Sequence, residues 1–339
     1  MTFRLLAALG NPHRPVLTTR NALPWSSIRT ALKVGERRAR FMANDNATGN
    51  APAPRRYHRT VADGLRLQVT HYAPAADTGD RRPVVCLAGL TRNGRDFEVL
   101  ANALAHGAEP RHVYAIDMRG RGGSDFDPDW RRYTIAAETG DTIDVMTAEQ
   151  LDHVAIIGTS RGGLIAMALM AAQPTRAAAI ALNDIGPVIE IEGLARIAGY
   201  VGKLPKPDTW PEAVALCKQM AQRDFPNVTD EEWAAIARQW FNEEDGTPTS
   251  AYDPAIAQTF AVSADGIPEL WPQFEAVTPV PVLSIRGARS DLLSAETVAR
   301  MAERHPRLTT HTVPDEGHAP LLRDQNTISV IGKWLAATD

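Results

Sequence analysis

The sequence predicts an α/β fold, in which a doubly wound and mostly parallel sheet is interrupted by a helical insertion. Short, continuous apolar runs at residues 84–87, 113–116 and 154–157 alternate with segments of helical pattern. This alternation is typical of parallel strands that helices cover on both faces. Between about residues 187 and 279 the alternation stops and helical patterns dominate. The chain therefore combines an α/β core with one inserted helical segment.

The individual elements follow from the periodicity of the apolar residues. Leu65, Leu67 and Val69 alternate with polar residues, the period-two pattern of a half-buried strand. We predict further strands at residues 84–87, 113–116, 154–157, 178–182, 280–285 and 308–313, and helices at about 94–105, 136–148, 161–172 and 327–337. Within the insertion the candidate apolar anchors are Trp210, Cys217, Met220, Trp233, Ile236 and Trp240.

These elements define the expected domain organisation. The core should comprise residues 57–186 and 276–339, and the insertion residues 187–275. Residues 1–56 are expected to form a poorly ordered or extended basic tail and linker, because residues 1–41 carry eight Arg and Lys against the single acid Glu36. An organellar targeting segment and a true start at Met42 are alternative interpretations of this tail.

Composition excludes several classes of function. Net charge is −4 over 339 residues, and residues 42–339 alone carry −11, which argues against nucleic acid as the main partner. Apolar runs are too short for a membrane-spanning helix. Cys86 and Cys217 provide neither a disulfide framework nor a metal-binding knuckle. A reducing compartment fits these two thiols, and we expect a cytoplasmic protein.

Residues 158–162, with the sequence Gly-Thr-Ser-Arg-Gly, match the G-x-S-x-G nucleophile elbow. The match directly follows a predicted strand and directly precedes an apolar helix, as the elbow requires. Gly158 and Gly162 leave room for a tight and strained turn. An ordinary strand–helix turn with a capping serine is the alternative. We predict Ser160 as the nucleophile.

A serine nucleophile needs a base, and the base needs an orienting carboxylate. His318 lies in a Gly- and Pro-bounded loop after the last predicted strand, and we predict it as the base. Asp291 follows the preceding strand, in the turn G-x-x-S-D, and is the preferred acid. Asp184, which follows the strand before that, is the alternative, and either choice preserves the chain order Ser, acid, His.

The tetrahedral intermediate needs two backbone N–H donors. Arg161, directly after the nucleophile, should provide one. The loop after the strand at 84–87 should provide the other, and we choose Leu90 because Gly89 lets the chain turn beside it. An ordinary turn that never reaches the site is the alternative for this loop.

Together these motifs resemble the α/β-hydrolase superfamily, specifically its esterase, lactonase and C–C hydrolase branch, over residues 58–338. Residues 117–124 also resemble the D-x-R-G-x-G-x-S loop of that branch, and residues 317–320 its G-H-x-P loop. Two departures stand out: Ala88 replaces the usual histidine before Gly89, and Arg161 replaces the Met or Gln of many relatives. The side chain of Arg161 could face solvent, pair with an acid or bind an anionic substrate.

The resemblance implies a serine hydrolase that cleaves a carboxylic ester through an acyl-enzyme, beneath a cap formed by residues 187–275. It implies no metal and no organic cofactor. The expected partner is a small ester or related carbonyl substrate, and a homodimer is possible. A lactonase or C–C bond hydrolase with the same triad is one alternative, and a slow-turnover ligand receptor is another.

Overall fold

The computed structural model describes residues 52–259 and 268–339. Its centre is an eight-stranded sheet in the order β1-β2-β4-β3-β5-β6-β9-β10. The first two strands pair antiparallel with each other, β2 pairs antiparallel with β4, and the remaining pairs are parallel. The strands are β1 (Arg55–Thr60), β2 (Arg66–Tyr72), β3 (Val84–Leu87), β4 (Val113–Ile116), β5 (Val154–Thr159), β6 (Ala177–Asn183), β9 (Val282–Gly287) and β10 (Leu308–Val313).

Helices cover both faces of this sheet, which confirms the predicted doubly wound α/β class. The core helices are α1 (Glu98–His106), α2 (Ile135–Ala148), α3 (Arg161–Ala172), α8 (Ala295–Arg304) and α9 (Gln325–Thr338). Successive residues of β3 pack in opposite directions: Val85 and Leu87 join one buried cluster with α2, α3 and α8, whereas Val84 and Cys86 join another with α1 and α9. Both faces of the strand are therefore buried, and this is why it reads as a continuous apolar run.

In its described residues, the inserted segment contains four α-helices, one short 3-10 helix (Pro254–Thr259) and one hairpin. The helices are α4 (Ile191–Tyr200), α5 (Trp210–Ala221), α6 (Asp230–Trp240) and α7 (Trp271–Glu275), and the hairpin joins β7 (Phe241–Glu244) to β8 (Thr247–Ser250). Cys217, Trp233 and Ile236 are buried in a separate apolar cluster, against which Trp210, Met220 and Trp240 pack. Helices dominate the described part of the insertion, as predicted, but it also contains two short strands that were not predicted. The predicted basic tail lies outside the described residues, apart from its last few residues, of which Arg55 and Arg56 begin β1.

In the described part of the chain, we find no helix with both the length and the apolar character needed to cross a membrane.

The turn between β5 and α3 depends on glycine at two positions. A Cβ atom added to Gly162 would lie 2.0 Å from the carbonyl oxygen of Leu87, and one added to Gly158 would lie 2.6 Å from the backbone of Gly162. Real Cβ atoms do not approach backbone atoms so closely. The first turn of α3 can therefore pack against the end of β3 only because Gly158 and Gly162 have no side chains.

We expect Gly162→Ala to lower the free energy of unfolding by at least about 3 kcal/mol, because a clash with backbone cannot be relieved by a side-chain rotation. The matched control is Gly140→Ala on the exposed face of α2, where an added Cβ meets nothing within 4 Å. That change should raise stability by about 0.5–1 kcal/mol. Denaturant unfolding of both variants checks this, and equal stabilities would contradict it.

Candidate active site

Ser160 occupies the turn between β5 and α3 in a strained backbone conformation. Its φ is 49° and its ψ is −114°, a region that residues with a side chain rarely occupy. The turn is held by the backbone, since the Ser160 N–H donates to the carbonyl of Asn183 at 2.9 Å. The hydroxyl makes no capping bond to α3. It is therefore free to face the carboxyl edge of the sheet.

His318 lies in the loop between β10 and α9 and contacts Ser160 directly. Its Nε2 lies 3.0 Å from the Oγ of Ser160. On the other side of the ring, Nδ1 lies 2.8 Å from Oδ2 of Asp184. Because a carboxylate only accepts, Nδ1 carries the proton in this pair and Nε2 is left to accept from the serine hydroxyl. The side chain is only 7% exposed, so water competes little for either bond.

Asp184 follows β6 directly and is completely buried. Its φ of 56° is in the left-handed region, which aspartate tolerates better than most residues. Besides His318, its carboxylate accepts from the backbone N–H of Gly287 at 2.8 Å and from the hydroxyl of Ser290 at 2.5 Å. These donors come from the last residue of β9 and from the loop after it, and they fix both carboxylate oxygens in place.

The prediction that Asp291 orients His318 is contradicted by this geometry, and the alternative, Asp184, occupies that place. Asp291 instead accepts from Nε and Nη2 of Arg196 on α4, at 2.6 and 2.7 Å. Burial raises the pKa of Asp291, but the hydrogen bond and charge of Arg196 outweigh it and hold the pKa below its ordinary value. The physical reason is local: the hydroxyl of Ser290 points at Asp184, and the next side chain along the loop is directed to α4.

The two predicted oxyanion donors belong to the two segments next to the nucleophile, the loop after β3 and the start of α3. Leu90 lines the same cavity as Ser160, and a Cβ added to Gly89 would lie 3.8 Å from the Cβ of Ser160. Arg161 is the first residue of α3, where the N–H has no partner within the helix. Among the described residues, neither N–H donates a hydrogen bond to another protein group. Of the two residues, Leu90 lines the cavity, and Arg161 directly follows Ser160.

The side chain of Arg161 turns away from the cavity and pairs with an acid. Its Nε and Nη2 donate to the two carboxylate oxygens of Glu138 at 2.6 and 3.0 Å, and Nη2 also donates to the carbonyl of Tyr133 at 3.0 Å. The sequence allowed the Arg161 side chain to face solvent, pair with an acid or bind an anionic substrate. In the structure it pairs with an acid. Glu138, which is fully buried on α2, was not predicted as part of the site.

The D-x-R-G-x-G-x-S motif, residues 117–124, holds together the loops that follow β3 and β4. The carboxylate of Asp117 accepts from the backbone N–H of Gly94 at 2.6 Å and of Gly123 at 2.9 Å, which ties the segment after β3 to the segment after β4. Burial raises the pKa of Asp117 despite these bonds. Arg119 donates to three carboxylates, those of Asp63, Asp127 and Asp141. The motif thus fixes loop geometry and does not itself line the cavity.

A cavity of about 120 Å³ opens above Ser160 and His318, between the core and the inserted segment. A larger cavity, of about 260 Å³, adjoins it. The walls common to both are Thr91, Arg92, Tyr200, Met220 and Trp240. Arg92 is held by the carboxylate of Asp96 and stacks on the Trp240 ring, 3.9 Å from its centroid. The second cavity is lined mostly by apolar groups and by two cations, Arg92 and Lys206, with no carboxylate among its lining residues.

A hydrogen-bonded serine–histidine–aspartate arrangement at the carboxyl edge of a doubly wound sheet is typical of one class of hydrolases. The comparison with known proteins identifies the family. A model of the alpha/beta hydrolase family matches residues 84–330. The chain belongs to the alpha/beta hydrolase family.

Individual relatives agree with this assignment. The chain is 34% identical to a 3-hydroxybutyrate-oligomer hydrolase of Cupriavidus necator over 76% of its own length and 90% of that protein. It is 27% identical to the esterase YbfF of Escherichia coli, covering 72% of this chain and 89% of the relative. Among solved structures, an alpha/beta hydrolase from Novosphingobium aromaticivorans superposes with a TM-score of 0.76 at 38% identity, covering 84% of this chain and 98% of that one.

Proposed function

We propose that the chain hydrolyses carboxylic esters, with Ser160 as nucleophile, His318 as general base and Asp184 as the orienting acid. The observation that carries the proposal is the continuous hydrogen-bond chain from Ser160 Oγ through His318 to Asp184, with distances of 3.0 and 2.8 Å. Such a chain gives a serine hydroxyl a base of fixed tautomer, which ester cleavage requires.

The chemistry proceeds in two stages. Ser160 attacks the ester carbonyl while His318 takes its proton, and the oxyanion is bound by the N–H groups of Leu90 and Arg161. His318 then returns the proton to the departing alcohol, which leaves the acyl-enzyme. A water molecule, deprotonated by the same histidine, attacks the acyl carbon and releases the carboxylic acid and free Ser160. Asp184 keeps the imidazole in place and stabilises its charged form in both stages.

For the substrate, we propose a short oligomeric ester of a hydroxy acid, as the name of the Cupriavidus necator relative suggests. Two features support an extended, anionic molecule. The cavity above Ser160 adjoins a second one of about 260 Å³, which offers room for units beyond the scissile ester. The walls of that second cavity include Lys206 and the Asp96-paired Arg92 but no carboxylate, and Lys206 suits an oligomer that ends in a carboxylate.

The test compares hydrolysis of p-nitrophenyl esters from acetate to dodecanoate with that of linear 3-hydroxybutyrate dimer and trimer. We expect turnover of simple esters and a kcat/KM for the trimer at least about tenfold above that of methyl 3-hydroxybutanoate, since binding of remote units contributes to rate. A fluorophosphonate should abolish both activities and modify Ser160, as read by mass spectrometry of the digested protein.

Heat-denatured protein is the control for that labelling, because an unassembled site should not react. Turnover of lactones or of carbon–carbon substrates without turnover of any linear ester would contradict the ester proposal. Equal rates on trimer and methyl ester would contradict the oligomer proposal alone.

A further inference from the structure

We propose that Glu138 is a positioning residue for both oxyanion donors, connected to Arg161 by one ion pair and to Leu90 through Arg121. The inference rests on the proposed function, since it concerns how the same site holds its N–H donors. Glu138 touches neither the cavity nor the three residues of the hydrogen-bond chain. Its effect would therefore act entirely through the two arginines.

The first connection leads to the nucleophile turn. Glu138 Oε2 accepts from the Nε of Arg161 at 2.6 Å, and Oε1 accepts from its Nη2 at 3.0 Å. This two-point contact is the geometry in which a guanidinium fixes direction as well as distance. It fastens the first residue of α3, the residue whose N–H is one oxyanion donor, to helix α2. Because Ser160 beside it has a strained backbone, the turn needs such external restraint.

The second connection leads through Arg121 to Leu90, the other proposed oxyanion donor. Glu138 Oε1 also accepts from the Nη1 of Arg121 at 2.7 Å. The same arginine donates from its Nε to the carbonyl of Leu90 at 2.8 Å. Fixing this carbonyl restricts rotation about the backbone of Leu90, the residue that supplies the other N–H. One carboxylate thus sets the separation between the two donors.

Burial makes these connections rigid. The side chain of Glu138 is 0% exposed and that of Arg121 is 1% exposed, so neither exchanges partners with water. Burial raises the pKa of Glu138, but the charges and hydrogen bonds of Arg121 and Arg161 outweigh it and leave the pKa below its ordinary value. The group of three carries one more positive than negative charge, a sign that favours a developing oxyanion nearby.

A purely structural role for the ion pair is the competing interpretation, and the chain offers a matched control. Asp141 lies on the same helix three residues later and is buried as well. It accepts from Nε and Nη2 of Arg119 at 2.7 and 2.6 Å, and that arginine contacts neither Leu90 nor Arg161. The two networks meet only at the backbone carbonyl of Arg119, which accepts from Nη1 of Arg121 at 2.6 Å. Of the two carboxylates, only Glu138 binds the arginines that join the oxyanion donors.

The experiment measures Glu138→Gln and Asp141→Asn in the full chain. Steady-state kinetics on a p-nitrophenyl ester give kcat and KM, and a trifluoromethyl ketone measures affinity for a tetrahedral oxyanion on Ser160. We expect Glu138→Gln to lower kcat by about 10- to 100-fold, with KM changed less than about twofold, because displaced donors act on the transition state. The ketone should bind weaker by a similar factor, and Asp141→Asn should stay within about threefold of the parent in every quantity.

Arg161→Met keeps the inference testable where Glu138→Gln does not fold. It retains the backbone N–H and removes one connection, so a drop in kcat and in ketone affinity is expected again. Where all variants fold, the double variant should lose less than the product of the two single losses, because both act on one network.

Equal kinetic losses in Glu138→Gln and Asp141→Asn would overturn the inference, as would an effect on KM alone or an unchanged affinity for the ketone. An inactive parent protein is a different result, because it refutes the proposed ester hydrolysis itself.

Discussion

Asp184→Asn is expected to lower kcat for ester hydrolysis by about four orders of magnitude, while Asp291→Asn lowers it less than tenfold. The Asn side chain fits the same space, but it presents an amide in place of one carboxylate oxygen beside Nδ1 of His318. The imidazole then favours the tautomer that cannot accept a proton from Ser160, and its charged form loses its counterion. Asp291 makes no hydrogen bond to the histidine, so its loss reaches the site through Arg196 and through the weaker charge interaction between Asp291 and His318.

Turnover of p-nitrophenyl butyrate by both variants checks this prediction, with thermal unfolding to show that each is folded. Asp291→Asn removes a pair whose two side chains are each 30% exposed, which should lower stability by no more than about 1 kcal/mol. A large loss in Asp291→Asn together with a small one in Asp184→Asn would restore the assignment made from the sequence.

Replacing Ser160 is expected to lower kcat by about 10⁶-fold with either alanine or glycine, because the attacking oxygen is absent. The two variants should differ in stability. At a φ of 49° and a ψ of −114°, alanine should carry a backbone strain of about 1–3 kcal/mol. Glycine can adopt these angles without that strain. Glycine also adds freedom to the unfolded chain, which offsets about 0.5–1 kcal/mol of that difference.

We therefore expect Ser160→Gly to be more stable than Ser160→Ala by about 1 kcal/mol, a rise in Tm of about 2 °C. Differential scanning calorimetry of the two variants measures this. A less stable glycine variant would show that the turn carries no such strain. Residual turnover above about 1% of the parent in either variant would exclude Ser160 as the nucleophile.

The five inner strands β3, β4, β5, β6 and β9 could be predicted from the sequence because they are buried on both faces. Strands β3, β4 and β10 have the predicted bounds, and β5, β6 and β9 begin or end within two residues of them. The hairpin in the inserted segment was missed, although Asp245-Gly246 is a strong turn signal. The flanking strands are short and largely polar, so no alternation marked them.

The acid could not be chosen from the sequence because β6 and β9 are neighbours and end at the same edge of the sheet. Each is followed by an aspartate that could reach His318. The choice depends on which side chain of the loop after β9 points inward, and there Ser290 does so in place of Asp291. Glu138 was missed for a related reason. An acidic residue in a helix is usually expected to face solvent, and the sequence does not show that Arg121 and Arg161 pair with it.

With Asp184 as the proposed acid, residues 154–184 hold both the nucleophile and its distal carboxylate in a single strand–helix–strand unit. That unit could be exchanged between related enzymes as one segment without separating the two groups. The loop after β9 then supplies no carboxylate to the histidine. The end of β9 and this loop contribute a backbone N–H and a hydroxyl to Asp184, which leaves Asp291 to bind Arg196 and so connect the loop to α4.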